Sequence, residues 1–293
     1  MKKIIRIGSR ESKLAVAQSE IVIQQLKHCH PEHVYELVTM KTTGDMILHK
    51  TLDKVGGKGL FVKELDRALL SGEVDLTVHS LKDMPMEIPK ELPLLAYVNR
   101  QDPRDALVLP EGTGQWDQSL PVGCSSLRRK LLLEQLFPGI TVQWIRGNVQ
   151  TRLAKLESGE YGALVLAAAG LKRLGLENRI AKYFSVEELI PAAGQGILAV
   201  QGREEMRDFT SCLWDERLAR IAESERAFVK KLDGGCSSPV AAYAKESGQG
   251  ICLTGLYAEQ GTNEYRIGKI YGSYEDAEKI GVELADELRN KKR

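Results

Sequence analysis

The sequence contains few cysteines, and none of them is paired at a metal-binding spacing. Five cysteines are spread over 293 residues, and no CxxC occurs. An odd number of scattered cysteines argues against a disulfide framework, and the lack of cysteine pairs argues against structural zinc. The segment HCHPEH (residues 28–33) is a candidate metal cluster, but it follows a helical pattern and contains Pro31, which favours a solvated helix end. We therefore expect no metal.

The sequence also lacks net charge, long apolar runs and a high aromatic content. Its formal net charge is +1 and aromatic residues make up 6%. No apolar stretch reaches the roughly 18 residues of a membrane span. A near-neutral chain has no overall field that attracts nucleic acid or a membrane surface, so any anion site must come from local clustering of basic side chains. Because the N-terminal residues lack the apolar region of a signal peptide, we expect a cytoplasmic protein. We also expect no nucleic-acid or membrane partner, and we expect a monomer.

Predicted strands and helices alternate along most of the chain. The first pair is IIRIGSR followed by an amphipathic helix over residues 12–28, and a second series starts at LPVGCSS (residues 120–126). This alternation predicts two α/β domains with mostly parallel sheets. Residues 233–293 differ, because three strand patterns come before one helix pattern, and this order predicts a small α+β third domain.

Two segments divide the predicted domains. NRQDPRDA (residues 99–106) is polar and contains a proline, and PAAGQG (residues 191–196) is followed by another strand pattern, LAVQGR. We therefore expect the chain to cross back into the first domain after residue 196. The predicted boundaries are 1–99 plus 197–217 for domain 1, 104–192 for domain 2 and 220–293 for domain 3.

Basic side chains cluster in the second predicted domain. Residues 121–155 contain six basic residues and a single acidic one. Ser125 and Ser126 stand where a strand gives way to a helix, which makes them candidate N-caps. Arg128 and Arg129 would then lie in the first helical turn, where a cation opposes the helix dipole, so a bound anion is expected to compensate them. The alternative is that these arginines lie on solvated helix faces in ordinary salt bridges.

The first predicted domain also places polar side chains after its strands. Arg10 follows the first strand, and Ser80, Lys82 and Asp83 follow the strand pattern DLTVH. In an open parallel sheet these strand ends face the ligand crevice. Beside the cations Asp83 should stay ionised, and it could stabilise a developing cation or transfer a proton, or it could simply cap a helix or a turn.

If both domains present these edges to one cleft, the cleft would bind a ligand with several anionic groups, because arginine pairs well with carboxylates and phosphates. The basic residues that would line it are Arg10, Lys82, Arg128, Arg129, Arg146 and Arg152.

One cysteine follows two glycines instead of lying in an apolar run. Cys236 comes after Gly234 and Gly235 and precedes SSP. A cysteine in an accessible loop is more able to act as a nucleophile or an attachment point than a buried one.

A second glycine-rich segment, VGGKGLF (residues 55–61), precedes a helix pattern. It lacks the Ser or Thr that a nucleotide-binding P-loop needs for magnesium. We interpret residues 42–60 either as a mobile lid or as a plain surface loop.

Six sequence blocks resemble the porphobilinogen deaminase (hydroxymethylbilane synthase) family. In chain order they are VHSLKDMP, GCSSLRRK, RGNVQTRLAKL, LAAAGLKRLG, PAAGQG and GGCSSP. Each block alone is a modest signal, but six in the right order are very specific, and the resemblance runs from Ile4 to about residue 290. The family's fold has two similar α/β domains, like those of two-domain periplasmic binding proteins, plus a small third domain, in agreement with the segmentation above.

The resemblance implies a covalently bound cofactor and a polymerising transferase. In the family, a loop cysteine of the third domain holds a dipyrromethane through a thioether, and the GGC match places this role on Cys236. Family enzymes condense four porphobilinogen molecules head to tail through an azafulvene-type electrophile, release four molecules of ammonia, and free 1-hydroxymethylbilane by hydrolysis. Asp83 matches the family's catalytic aspartate, which stabilises the positively charged pyrrole intermediate. The implied partners are porphobilinogen and the growing oligopyrrole of tetrapyrrole and haem biosynthesis.

The resemblance also assigns the basic residues to carboxylates, because each pyrrole ring carries an acetate and a propionate. The cofactor would be held by Ser80, Lys82, Cys124, Ser125, Ser126, Arg128 and Arg129. The substrate or the extending chain would be bound by Arg10, Arg146, Arg152, Arg173, Gln195 and Gly196. Lys54 and Phe61 would belong to the lid. The chain departs from the family's pattern at Cys124, where threonine is common, and in the SSP that follows GGC.

Two other classes of protein explain part of the pattern. A non-enzymatic two-domain binding protein for a polycarboxylate or another anion would explain the arginines but neither Asp83 nor the Gly-Gly-Cys loop. A nucleic-acid binder would require strong salt dependence and a basic domain, which the near-neutral charge argues against. Intact mass separates these classes, because only the synthase interpretation requires covalent mass on Cys236 equal to two porphobilinogen units less ammonia.

Overall fold

The structure, a computed structural model, describes residues 3–46, 62–234, 239–259 and 264–290. The chain divides into two compact units. Unit 1 comprises Met1–Arg100 and Gly196–Ala219, and unit 2 comprises Gln101–Gln195 and Arg220–Arg293. The three-domain division with its boundaries stays a prediction. The predicted site residues Lys54, Phe61 and Cys236 lie outside the described residues.

The described helices and strands follow the predicted alternation. The strands are β1 (Ile4–Arg10), β2 (Val34–Met40), β3 (Leu76–Ser80), β4 (Leu94–Val98), β5 (Asp105–Val108), β6 (Val122–Cys124), β7 (Val142–Trp144), β8 (Ala163–Ala167), β9 (Ile180–Tyr183), β10 (Leu198–Gly202), β11 (Val240–Ser247), β12 (Gly250–Ala258) and β13 (Tyr265–Gly272). The α-helices are α1 (Lys13–Cys29), α2 (Thr43–Met46), α3 (Lys63–Leu70), α4 (Leu127–Leu136), α5 (Val149–Glu157), α6 (Ala168–Arg173), α7 (Arg207–Thr210), α8 (Glu216–Lys231) and α9 (Ala277–Asn290).

Unit 1 is built on a five-stranded sheet in the order β2-β1-β3-β10-β4. β1 is parallel to both β2 and β3, whereas β10 is antiparallel to its two neighbours. The long helix α1 starts where the Ser12 hydroxyl accepts a hydrogen bond from the Ala15 N–H, which satisfies one of the free donors at a helix start. Apolar side chains three to four positions apart on α1, such as Val22 and Leu26, are fully buried in the core of this unit.

Unit 2 contains a sheet with the same arrangement, in the order β7-β6-β8-β5-β9. β6 is parallel to β7 and β8, and β5 is antiparallel to β8 and β9. In each sheet four strands therefore run in one direction and one runs against them. The prediction of two similar α/β domains with mostly parallel sheets is confirmed.

The direction of the antiparallel strand decides which residues meet at the edge of each sheet where the parallel strands end. Since β5 and β10 run against their neighbours, each begins at the edge where the parallel strands end. Asp105, the first residue of β5, is paired with Ala167 at the end of β8. Leu198, the first residue of β10, is paired with Ser80 at the end of β3.

The C-terminal part of unit 2 forms a three-stranded antiparallel sheet in the order β11-β12-β13, followed by α9. Its buried residues Ala241, Leu256 and Ala258 belong to the same apolar cluster as residues of β5, β6 and β8. Phe228 of α8 packs closely over Gly255, where an added Cβ would lie 2.5 Å from the ring. The predicted α+β character of this segment is confirmed.

A buried histidine lies one residue before the end of β3. His79 is 7% exposed, and its Nε2 lies 2.9 Å from the Thr77 hydroxyl oxygen. Burial lowers the pKa of His79 to about 4, although its hydrogen bonding with the Gln201 side chain opposes the shift and the charge of Arg10 adds to it. The imidazole is therefore neutral at physiological pH.

This neutral imidazole makes stability depend on pH. The folded-state pKa of about 4 lies below the ordinary value of 6.5, so the unfolded chain takes up the proton first as the pH falls. The contribution of His79 to the free energy of unfolding is fully present above about pH 6.5 and is lost as the pH falls toward 4. The loss between pH 7 and pH 5 is about 2 kcal/mol. His79→Gln should lose this part of the pH dependence in urea unfolding. His28→Gln, an exposed change on α1, should keep it. An unchanged slope in His79→Gln would contradict the assignment.

Candidate active site

The carboxyl edge of the sheet in unit 2 carries the predicted serine cap. β6 ends at Cys124, and α4 begins two residues after Ser125. The hydroxyl of Ser126 accepts the Arg129 N–H at 3.5 Å, which confirms Ser126 as the N-cap. Ser125 does not cap the helix, because its hydroxyl donates a short hydrogen bond to the carbonyl of Ile145.

Arg128 and Arg129 converge on one buried carboxylate. Arg128 Nη1 lies 2.8 Å from Asp105 Oδ2, and Arg129 Nη2 donates to Asp105 Oδ1 at 2.7 Å. The same guanidinium groups also donate to backbone carbonyls, those of Ile190 at 2.6 Å and Val165 at 3.2 Å. Arg128 is 2% exposed, Arg129 6% and Asp105 0%. The alternative of solvated helix faces is wrong for these two arginines.

The electrostatics of this group keep Asp105 ionised. Burial by itself would raise the pKa of Asp105, but the charges of Arg128 and Arg129 and their hydrogen bonds hold it well below its usual range. Burial lowers the pKa of Arg128, and Asp105 acts against that shift. Asp105 therefore supplies part of the compensation that the helix-dipole argument assigned to a bound anion.

Sequence reasoning missed Asp105. It lies in NRQDPRDA, which the sequence marked only as a polar boundary, whereas the structure makes it the first residue of a buried strand. The available signal was the four-residue pattern DALV, in which an acid begins an apolar run. The sequence alone does not show that Asp105 lies beside Arg128 and Arg129, because this placement depends on β5 running antiparallel to its neighbours.

The donors that remain on Arg128 fit a group bearing carboxylates. Its Nε and Nη2 are buried and have no hydrogen-bond partner among the described residues. Leaving a buried donor unpaired costs roughly 1–3 kcal/mol or more for a charged group. Two cations facing one carboxylate leave an excess positive charge, and guanidinium groups match carboxylates well. The acetate and propionate groups of a dipyrromethane have the chemistry that these donors require.

Gln195 also contacts Asp105. It lies in the turn over residues 193–196, called the crossover turn because the chain passes there from unit 2 to unit 1. It is 1% exposed, and its amide Nε2 donates to Asp105 Oδ1 at 2.8 Å and to the carbonyl of Pro103 at 2.7 Å. The sequence predicts that Gln195 contacts substrate, and in the structure its side chain contacts the carboxylate that holds the arginines. Gly196, next in the chain, has φ +90° and belongs to unit 1.

Three further predicted arginines lie in unit 2 after strand ends. Arg146 is half-buried and follows β7. Arg152, in the first turn of α5, donates from Nε to the carbonyl of Gly147 at 2.9 Å, and the Asn148 side chain caps that helix. Arg173 ends α6, and burial lowers its pKa to about 10, so it remains charged at neutral pH.

Cys124 has an internal partner. Its thiol lies 3.6 Å from the carbonyl of Ser126 and is 3% exposed. Burial raises the pKa of this thiol, which keeps it protonated at neutral pH. Its chemistry is that of a packed core residue.

The carboxyl edge of unit 1 carries the remaining predicted residues. Arg10 ends β1, and Ser80 ends the adjacent parallel strand β3, where its hydroxyl accepts a hydrogen bond from the buried Gln18 amide at 2.8 Å. Lys82 is half-buried and Asp83 is exposed. Both lie in a single 3₁₀ turn, Leu81–Asp83, that follows β3 directly. That the edges of the two units line one cleft stays a prediction.

Within the described residues, no helix has both the length and the apolarity needed to cross a membrane. No group of three or more His, Cys, Asp or Glu side chains there is arranged to hold a metal ion. In the HCHPEH segment, His30 instead stacks on Phe209 with ring centroids 4.5 Å apart and contacts its carbonyl at 2.9 Å.

Comparison with known proteins matches nearly the whole chain to one family. Residues 5–211 match "Porphobilinogen deaminase, dipyromethane cofactor binding domain", and residues 219–290 match "Porphobilinogen deaminase, C-terminal domain". The porphobilinogen deaminase of Acetivibrio thermocellus is 55% identical, with 97% of each chain covered. That of Ruminiclostridium josui is 54% identical, with 100% of this chain and 99% of the relative covered.

Among solved structures, the periplasmic aliphatic sulphonate binding protein SsuA from Escherichia coli is 14% identical with a TM-score of 0.41. The match covers 80% of this chain and 71% of that chain, and this likeness carries no functional argument. The two family matches and the relatives decide the assignment: the chain belongs to the porphobilinogen deaminase family.

Proposed function

We propose that this chain is a hydroxymethylbilane synthase. It joins four porphobilinogen molecules head to tail with loss of ammonia, on a dipyrromethane attached to Cys236 by a thioether, and releases hydroxymethylbilane. The observation that carries the proposal is the buried Arg128–Arg129 pair, with unpaired donors on Arg128, inside the segment that matches the family's cofactor-binding domain. That the enzyme works as a cytoplasmic monomer stays a prediction.

The arginine pair binds the carboxylates of the cofactor. When bound, the dipyrromethane supplies the pyrrole carbon to which each new ring is joined. Arg128 and Arg129 orient the acetate and propionate groups through charged hydrogen bonds, each worth about 1.5–3 kcal/mol. Asp105 holds the guanidinium groups in place, and Gln195 donates to the same carboxylate. Ser80, Lys82, Cys124, Ser125 and Ser126 stay predicted cofactor contacts.

Asp83 stabilises the positive charge that develops on the pyrrole during the reaction. Its exposed position at the end of the 3₁₀ turn leaves the carboxylate accessible to a ligand. A carboxylate that faces a pyrrole nitrogen stabilises the positive charge that develops there and can accept a proton. Because Leu81 N–H donates to the carbonyl of Ile197 at 3.0 Å, the turn that carries Asp83 is fixed to the residue before β10.

The other basic side chains bind substrate and product carboxylates. Each added ring brings two more carboxylates, so the positive charge required grows with the chain. Arg146, Arg152 and Arg173 supply it in unit 2, and Arg10 supplies it in unit 1. Arg173 suits this role because it remains charged although burial disfavours that charge. Gly196 stays a predicted substrate contact.

Intact mass spectrometry of Cys236→Ser tests the proposal. We expect the purified wild-type protein to carry the mass of two porphobilinogen units less two molecules of ammonia, and to gain stepwise increments after substrate is added. Cys236→Ser should have the unmodified mass and make no product. Cys212→Ser, at an exposed cysteine of unit 1, is the matched control and should keep the adduct.

The possible outcomes separate two errors. A normal adduct on Cys236→Ser would show that the attachment residue is wrong. A wild-type protein that has no adduct and makes no hydroxymethylbilane from porphobilinogen would refute the synthase and favour a non-enzymatic anion-binding protein.

A further inference from the structure

A fully buried carboxylate on α8 binds two segments of unit 2 at once. Glu225 is 0% exposed. Its Oε2 accepts the N–H of Gly194 at 2.7 Å, and its Oε1 accepts the N–H of Ala244 at 2.7 Å. A buried carboxylate is costly unless it is hydrogen-bonded, and two short bonds from backbone donors are strong ones.

The first of these bonds leads to the arginine pair. Gly194 has φ +74°, a conformation that favours glycine, and it immediately precedes Gln195 in the crossover turn. Gln195 donates to Asp105 Oδ1 at 2.8 Å, and Asp105 holds Arg128 and Arg129. Glu225 therefore fixes the turn that carries Gln195. Gln195 in turn donates to the carboxylate that holds the two guanidinium groups.

The second bond leads to the C-terminal sheet. Ala244 lies in β11, the edge strand of that sheet, and is 2% exposed. β11 begins at Val240, four residues after Cys236 in the chain. The same carboxylate thus ties the strand that follows the proposed attachment residue to the turn that supports the arginines.

The chemistry of the two bonds requires a carboxylate. Both partners are N–H donors, and an ionised carboxylate offers two acceptor oxygens. Glutamine offers one oxygen and one NH₂ group, so one of the two N–H groups would meet another donor. Aspartate keeps both acceptors but is one methylene shorter, so it reaches both partners less well.

We infer that Glu225 is a positioning residue for cofactor loading, acting through Gln195 and Asp105 on the arginine pair and through Ala244 on β11, the strand that follows Cys236 in the chain. This inference rests on the proposed function. Loading forms one carbon–sulfur bond and one carbon–carbon bond. Each bond expels one ammonia, which takes the proton from the thiol in the first step and from the pyrrole carbon in the second. No oxidant or reductant is consumed.

The test follows the rate at which the full-length chain acquires its adduct. Protein made in cells that cannot supply porphobilinogen is mixed with porphobilinogen, and the adduct is counted by intact mass against time. We expect Glu225→Gln to load about 10- to 100-fold more slowly than the wild type, the range that small misplacements of reacting groups produce. Glu225→Asp should load at an intermediate rate.

The matched control is Phe228→Leu, a buried apolar change one turn later on the same helix. It weakens packing without touching either hydrogen bond, so it should load at the wild-type rate once folded. Urea unfolding of every variant shows whether slow loading merely follows lost stability. Loading of Glu225→Gln at the Phe228→Leu rate would overturn the inference.

Should Glu225→Gln fail to fold, Glu225→Asp decides, because wild-type loading by that variant would equally overturn it. A wild-type chain that acquires no adduct would instead refute the proposed function.

Discussion

Asp83→Asn is expected to lower turnover by about 10²- to 10⁴-fold, the usual loss when a charge-stabilising or proton-transferring group is removed. The amide keeps the size of the side chain but carries no negative charge to oppose the positive charge on a pyrrole nitrogen. Because Asp83 is exposed, the free energy of unfolding should change by no more than about 0.5 kcal/mol. The measurement is the initial rate of hydroxymethylbilane formation per adduct-bearing molecule.

The control for this prediction is Asp208→Asn. Asp208 is also an exposed aspartate of unit 1, but it lies on α7 and is not among the predicted site residues. That variant should retain wild-type turnover. The catalytic assignment of Asp83 is lost if Asp83→Asn, with its adduct in place, turns over as fast as Asp208→Asn.

Asp105→Asn should lower the free energy of unfolding more than any other substitution proposed for this protein. The change leaves two buried guanidinium groups beside a neutral amide, and breaking a buried ion pair from one side costs about 3–5 kcal/mol. Urea unfolding should be measured in a Cys236→Ser background, so that the stabilising effect of a bound cofactor does not enter the comparison. In the Cys236-containing chain, the fraction of protein that carries the adduct should fall as well.

Asp117→Asn is the matched control, because Asp117 is an exposed aspartate of unit 2 whose side chain accepts hydrogen bonds from the nearby Ser119. It should unfold at the same urea concentration as its parent. A loss below about 1 kcal/mol in Asp105→Asn would mean that the arginines do not depend on this carboxylate.

The regular part of the fold could be predicted because its signals are local. IIRIGSR was predicted as a strand and is β1 with the same residues, and the helix pattern starting at Ser12 is α1 with Ser12 as its cap. The strand LAVQGR after the crossover is β10. Periodicity and capping act over a few residues, so one sequence contains enough information to place them.

Some strands and the buried polar groups could not be predicted in the same way. β4, β5 and β9 are each followed by another strand and not by a helix, so the alternation of strand and helix patterns did not mark them. The roles of Asp105 and Glu225 depend on partners that are distant in the chain, such as Arg129 and Gly194. Acidic residues usually face solvent, so nothing local distinguishes Glu225 from the other acids, and the pattern DALV is only a weak signal for Asp105.

The placement of β10 in the first sheet has a consequence for the order in which the chain can fold. β4 is hydrogen-bonded to β10 and to no other described strand, and β10 is made about one hundred residues later. When the first hundred residues have been synthesised, the sheet therefore has an unpaired edge at β3, and β4 has no strand to pair with. Unit 1 can close only after the whole of the second sheet has been synthesised, and during that interval the nascent chain exposes a template for wrong pairing.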